Sequence, residues 1–587
     1  MSDYHAPVRD ILFTLDTICD VSSITALPAF DDVDAEMVEP LVTEAARFFE
    51  EVFAPTNAIG DDQGAQFADG SVTMPEAFEG AWDRLKEAGW GAVTGAPAFG
   101  GGGFPRVIGQ AISEMMASSN MAFSLCHMLT DSAITLLERH GTDELRDIYL
   151  ENLITGEWTG TMVLTEPEAG SDVGALKAKA EPNDDGTYRI SGSKIFITWG
   201  DHNLADNVIH LVLARAPGGP PGTKGISLFL VPKFLVDDEG RPAERNAVET
   251  VSIEHKLGIH ASPTCVLSFN DATGYLIGEE HRGMTYMFTM MNQARLGVGL
   301  EGLGIAERAY QLASAYAKER IQGRTPEAAE SDAIIGHADV RRALLTMKAY
   351  TEAMRGLLYD AMAAEDRMHA ETDEARRAQF ASRLALLTPI AKAWCTDRGV
   401  DVASLGIQVH GGMGFIEETG AAQHYRDVRI TPIYEGTNGI QDIDLVMRKL
   451  PLEGGAVIKG YLDEIEALAK DVTGRSTDLD DIGAALTRAT AAARQATTIL
   501  LAADDAQMRL AGATPYLDAF GTLAGAYYLA RQAAAAQEAP NGDAWLASKV
   551  ATARFYAANI LPDARGKFEA AVAGPDLIYA VPDGFIG

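Results

Sequence analysis

Cysteine is scarce: four in 587 residues, Cys19, Cys126, Cys265 and Cys395, scattered with no CxxC or Cys/His spacing. That pattern argues against a disulfide framework or a zinc site, so four buried thiols and no metal are expected. Long hydrophobic runs are lacking too. Apolar stretches such as residues 499–503 stop well short of the roughly 20 residues a membrane helix requires. The N-terminus, MSDYHAPVRDILFTLD, has no basic leader followed by an apolar core and a small-residue cleavage site, and a cytoplasmic address is the expectation. Basic residues are in deficit, 48 Lys plus Arg against 83 Asp plus Glu, for a formal net charge of −35. Nucleic acid and anionic membrane would be repelled by such a surface, so neither is expected as a partner, and any anionic ligand needs a locally basic site.

What is present is a soluble-globular composition, 47% hydrophobic and 22% charged, on a chain long enough for three or four structural units. Residues 1–33 form an N-terminal extension. From 34 to 160 the segments VEPLVTEAARFFEEVF and AFEGAWDRLKEAGW repeat apolar residues at three- and four-residue intervals, the mark of a helical domain, interrupted by the loop string APAFGGGGFP. Residues 161–280 change texture to YRISGSKIFIT, VIHLVLARA, GISLFLVP and CVLSFN, bounded by Gly, Pro and Asp, which predicts a small antiparallel, barrel-like β domain. Helical periodicity returns in residues 281–450 as a bundle and continues, Ala-rich, in an additional C-terminal helical domain over residues 451–587. From 456 onward that last domain carries 11 Lys plus Arg against 16 Asp plus Glu. The fold class is therefore mostly α with a central β domain.

Four strings carry chemistry. In VLTEPEAGSDVGALKAKA, residues 163–180, a loop offers backbone N–H groups and the hydroxyls of Thr165 and Ser171; taken alone it is a surface loop. GSKIFITWG, residues 192–200, sets Phe196, Ile197 and Thr198 on a strand, where the aromatic could cover a flat ring or simply fill a core. QVHGGMGFIEE, residues 408–418, has glycines that permit close backbone approach to a phosphate, although a helix-ending turn accounts for them as well. YRDVRITPIYEGTNGIQ, residues 425–441, places one carboxylate, Glu435, between an apolar approach and a Gly-Thr-Asn-Gly turn.

In this order and at these separations, TEPEAGSD, FIT, QVHGGMGF and IYEGT resemble the acyl-CoA dehydrogenase family over residues 40–450. The joint match is specific although no single string is. The resemblance implies the fold of that family, an N-terminal helical domain, a β domain and a helix bundle, and FAD as cofactor. Met162, Leu164, Thr165, Gly170 and Ser171 would lie along the flavin, with Phe196, Ile197 and Thr198 against its ring; many members have tryptophan where Phe196 stands. Gln408, Gly411, Gly412 and Arg320 would meet the diphosphate side of a neighbouring subunit's FAD, which implies a homodimer, and Thr437 and Gly439 would add cofactor contacts. Arg320 could otherwise be a solvated helix charge; a guanidinium suits a diphosphate geometrically. This chain departs from the family at Val163, usually a small residue, at Gln423, where Lys or Arg is common, and in IQGR, residues 321–324, where a QFG-like string is usual.

By the same resemblance Glu435 removes the proton α to an acyl-CoA thioester while hydride leaves the β carbon for the flavin. Ser171, Tyr434, Glu435 and Gly436 would line the substrate, and an electron-transferring flavoprotein would take the electrons; an oxidase of related fold is the enzymatic rival. The layout of extension, core and acidic C-terminal domain is similar to that of members that convert 3-(methylthio)propanoyl-CoA to 3-(methylthio)acryloyl-CoA in dimethylsulfoniopropionate demethylation. A straight-chain fatty acyl-CoA dehydrogenase is the alternative. FAD-containing DNA-protecting relatives form a second one, disfavoured because their DNA contact needs a basic C-terminal face.

Overall fold

The computed structural model describes residues 4–326, 330–538 and 542–586. Two compact units emerge, one of Met1–Ala6, Thr43–Phe104 and Ile112–Gly297, the other of Pro7–Val42, Pro105–Ala111 and Val298–Gly587. Helices and a central sheet make up the fold class expected, and all four cysteines are buried. Among the described residues no helix is long and apolar enough to cross a membrane.

In the first unit, helix Glu76–Ala88 buries Phe78, Ala81, Trp82 and Leu85, one face at three- and four-residue spacing, and stops at Gly89, whose φ of +71° is left-handed. Asn120 caps helix Met121–His140 by accepting a hydrogen bond from the Phe123 N–H at 3.1 Å. The Phe123 ring stacks between Phe53 and Phe78, with centroids 4.6 and 4.4 Å away. A short hairpin, Gln66–Ala68 with Ser71–Thr73, turns on Asp69 and Gly70, both at positive φ. The glycine string folds back on itself: the Gly102 and Gly103 N–H groups donate to the Ala92 and Gly95 carbonyls.

The sheet of this unit consists of β1 (Trp158–Val163), β2 (Lys179–Pro182), β3 (Tyr188–Thr198), β4 (Asn207–Ala214), β5 (Ser227–Pro232), β6 (Val248–Ile253) and β7 (Thr264–Leu276). Its order is β1-β4-β5-β7-β3-β2, with β6 added on β7. Beyond β4, Arg215 exchanges hydrogen bonds with Ala178 and Ala180, both 2.9 Å, so β2 meets the end of β4 and the sheet closes as a barrel. The expected antiparallel pairing holds for most of it, but β1 and β4 run parallel. β4 and β5 are buried along their whole length and lack the in-out alternation of a half-exposed strand.

The second unit is helical. Helix α1 (Gly283–Glu319) enters it at Val298 and lies against α2 (Ala338–Ala370) and α3 (Glu374–His410), and these in turn pack with α4 (Ala506–Glu538), while α5 (Ala544–Asn559) lies on α2 and α4. The backbones of α1 and α3 touch at glycines. A Cβ on Gly302 would lie 2.7 Å from the Cys395 carbonyl oxygen, and one on Gly399 would lie 2.7 Å from that of Gly302. The N-terminal extension is not a loose arm. Its helix Val8–Thr17 lies on the C-terminal helices of this unit, where the Phe13 ring meets the Trp545 ring edge-on at 5.3 Å and the Arg531 guanidinium donates to the Thr17 and Ile18 carbonyls.

Candidate active site

The first unit brings two of the four strings together. The Thr161 hydroxyl donates to the Thr198 carbonyl at 2.7 Å and the Ile195 N–H to the Thr165 carbonyl at 2.9 Å, so the loop after β1 is stitched to the end of β3. A buried ion pair locks the stitch. Lys194 Nζ lies 2.8 Å from Glu166 Oε1 and donates to the Leu164 carbonyl at 2.9 Å, while the Glu166 carboxylate accepts the N–H groups of Lys177 and Ala178. Burial pulls the Lys194 ammonium down to about 8, opposed by the Glu166 charge. Sequence reasoning missed both residues, although they stand inside TEPEAGSD and next to FIT.

Between them Met162, Leu164 and Thr165 are half-buried, and Gly170 and Ser171 are exposed. At Phe196 a bulge in the β3–β7 ladder gives the residue a φ of +59° and leaves its side chain 59% exposed, a large apolar ring held out from the sheet. Ile197 is buried and Thr198 half-buried, so Ile197 can offer a ligand only its backbone. Trp199 anchors the string: its Nε1–H donates to the Ala122 carbonyl at 3.1 Å and its ring lies 6.0 Å from that of Phe123. Val163, the departure before this loop, is fully buried in β1.

The second unit holds the other two strings. Gln408, Gly411 and Gly412 lie exposed at the end of α3, and Arg320 lies exposed just past α1 with its guanidinium on the Gln322 side chain at 3.1 Å. The Tyr316 ring of α1 stacks on His410 at 4.5 Å, which ties the ends of the two helices together. Gln423 is buried and donates to Asp427 at 3.2 Å, so an uncharged amide stands where a cation is usual. In the IQGR segment Ile321 is exposed and bridges to Ala333.

Glu435 sits half-buried at a φ of +57°, followed by Gly436 at +82°. A non-glycine residue in this region costs about 1–2 kcal/mol, so its neighbours must over-determine the turn. They do. The Asn438 side chain accepts from Lys392 Nζ at 2.8 Å and donates to Ala393, Thr396 and Asp397 on α3. Gln441 donates to the Glu435 carbonyl at 3.4 Å, and the Tyr434 hydroxyl donates to Glu301 of α1. Thr437 caps the following turn, accepting from the Ile440 N–H at 3.4 Å, with Gly439 exposed beside it. Glu301, Lys392, Asn438 and Gln441 frame the loop. Asn438 and Gln441 stood inside the string read for Glu435, but nothing local marked Glu301 or Lys392.

A helical N-terminal region, a closed β barrel and a helix bundle with one carboxylate on a strained, cross-braced loop define the class. Family models for the acyl-CoA dehydrogenase N-terminal, middle and C-terminal domains match residues 36–157, 161–272 and 281–450, and one described as acetyl-CoA dehydrogenase C-terminal like matches 461–582. The chain belongs to the acyl-CoA dehydrogenase family and is an oxidoreductase of that class. It is 45% identical to 3-methylmercaptopropionyl-CoA dehydrogenase of Ruegeria pomeroyi over 95% of this chain and 96% of that one. It is 35% identical to a butyryl-CoA dehydrogenase of Syntrophomonas wolfei over 97% of both. The fold matches that of Caenorhabditis elegans ACDH-11, solved in complex with C11-CoA, with a TM-score of 0.77 over 100% of this chain and 96% of that one, at 20% identity.

Proposed function

We propose that this enzyme converts 3-(methylthio)propanoyl-CoA to 3-(methylthio)acryloyl-CoA, with Glu435 as base and FAD as cofactor. The observation that supports the mechanism is the Glu435 loop: the residue stands half-buried at positive φ on a loop braced to two helices through Asn438 and Tyr434, an arrangement that favours a positioned side chain over a solvated surface charge. The substrate rests on the 45% identity over nearly full length to a relative named for it, against 35% for a butyryl-CoA dehydrogenase.

The residues present fit FAD. An exposed ring at Phe196 suits a flat heterocycle, the hydroxyls of Thr165, Ser171 and Thr198 suit its polar edge, and a Cβ on Gly170, Gly411 or Gly412 would meet nothing within 4 Å. Arg320, Gln408, Gly411 and Gly412 would hold the diphosphate side of a second copy's cofactor, and Thr437 and Gly439 would add contacts. FAD supplies, when bound, the acceptor for the hydride that leaves the β carbon. Glu435 takes the α proton: the C–H bond breaks and an O–H bond forms on its carboxyl group. Ser171, Tyr434 and Gly436 orient the thioester. The electrons then pass to an electron-transferring flavoprotein.

The test is anaerobic mixing of the FAD-loaded enzyme with 3-(methylthio)propanoyl-CoA, butanoyl-CoA and octanoyl-CoA, following flavin bleaching. Faster bleaching by the sulfur substrate is expected. Preference for a straight chain would move the function to fatty acid oxidation, and rapid peroxide formation in air would mark an oxidase. Light scattering is expected to give the mass of a dimer; a monomer would remove the shared cofactor contacts.

A further inference from the structure

A second carboxyl group lies close to the base. Glu301, on α1, is 2% exposed; its Oε2 accepts the Tyr434 hydroxyl, and its Oε1 has no hydrogen-bond partner among the described residues. Tyr434 immediately precedes Glu435, so the link joins α1 to the strained loop one residue from the base. We propose that Glu301 is a positioning residue for Glu435, bracing the loop through Tyr434 and, by changing between acid and carboxylate, altering the proton affinity of the base. The inference rests on Glu435 being the base.

Burial pushes the Glu301 carboxyl up to about 8, the Tyr434 hydrogen bond pulls it down, the Glu435 charge pushes it up and Lys392 on α3 pulls it down. The next acidic residue on α1, Glu307, is paired with Arg355 at 2.7 Å. Near pH 7 Glu301 is therefore a neutral acid. Once Glu301 ionises, its charge acts on the Glu435 carboxylate, and a like charge nearby raises the proton affinity of its partner. Transfer of the α proton to Glu435 then relieves the repulsion. The step becomes faster, because a base gains driving force as its proton affinity rises.

The test compares flavin reduction from pH 6 to pH 10 in the full-length, FAD-loaded wild type and in Glu301→Gln, which keeps the size and an acceptor oxygen for Tyr434. In the wild type the rate should rise roughly three- to tenfold through pH 8, the effect of about a unit of coupling. Glu301→Gln should lose that limb. Infrared difference spectra of the resting enzyme between the same pH values should show the loss of one carboxylic-acid carbonyl band in the wild type that is missing from the variant, over a background common to both such as that of Asp366, whose carboxyl burial pushes up to about 7, a readout independent of turnover. A limb that persists in Glu301→Gln, or a band that does not change, overturns the proposal. If Glu301→Gln does not fold, Tyr434→Phe serves: it removes the hydrogen bond that lowers Glu301, so the limb must move to higher pH, and an unmoved limb refutes the coupling. Retained turnover in Glu435→Gln would instead refute the base, which separates the two failures.

Discussion

Glu435→Gln is expected to bind acyl-CoA and to lose turnover by about 10²–10⁴-fold, the range over which a positioned general base acts. Glutamine matches glutamate in size, and both meet the same left-handed backbone cost at φ +57°, so the loop keeps its braces at Asn438, Gln441 and Tyr434. What changes is chemistry alone. The amide cannot take the α proton of a thioester, a weak carbon acid that needs both a base and stabilisation of the developing enolate oxygen. Calorimetric titration with the acyl-CoA should give a dissociation constant close to that of the wild type, whereas anaerobic bleaching of the flavin should nearly vanish. Substantial bleaching in the variant would remove Glu435 from the mechanism.

Local pattern made some of this legible and left the rest hidden. The Phe78, Ala81, Trp82 and Leu85 spacing announces its helix because one face must be buried, and Glu435 is flagged by the Gly-Thr-Asn-Gly turn that follows it. The Asp69-Gly70 hairpin carries a two-residue turn signal, but its strands are only three residues long, too short for an alternating pattern to mark them. Barrel closure between Ala178, Ala180 and Arg215 is a pairing between separated segments with no local mark in either, and parallel β1–β4 contact cannot be told from antiparallel by burial alone. Gly302 and Gly399 are ordinary helix glycines until α1 and α3 are superposed on each other's backbone. Glu301 is a lone carboxylate in an apolar helix face, and only the Tyr434 hydroxyl, 133 residues later, gives it meaning. Single-sequence reading finds residues whose role is stated by their neighbours along the chain. It misses those whose role is set across the fold.

The N-terminal extension illustrates the same limit and carries the largest stability effect expected. Lys549 on α5 is 2% exposed; its ammonium donates to Asp10 of the extension, lies 3.3 Å from Glu352 of α2 and stands 4.8 Å from the centroid of the Trp545 ring. Lys549→Met keeps much of the length and apolar stem but removes the cation shared by Asp10 and Glu352, leaving Lys348, paired with Glu352, and Arg355 as the remaining positive charges. Removing one partner of a buried ionic cluster costs about 3–5 kcal/mol, because the charges left behind stay desolvated. For a unit of this size that corresponds to a fall in Tm of about 4–7 °C. Burial raises the Asp10 carboxyl, but Lys549, Arg355 and Lys348 outweigh it and hold the group below the usual aspartate value. A depressed folded value means the carboxylate stabilises the fold above the ordinary aspartate range and that this contribution fades as pH falls through the folded value. Thermal unfolding from pH 7 down to pH 3 should therefore show the Tm gap between wild type and Lys549→Met at its widest near neutrality and narrowing in acid. A gap that is absent at pH 7, or that widens as Asp10 is protonated, would mean that the extension is held by the Phe13–Trp545 contact and not by the ion cluster.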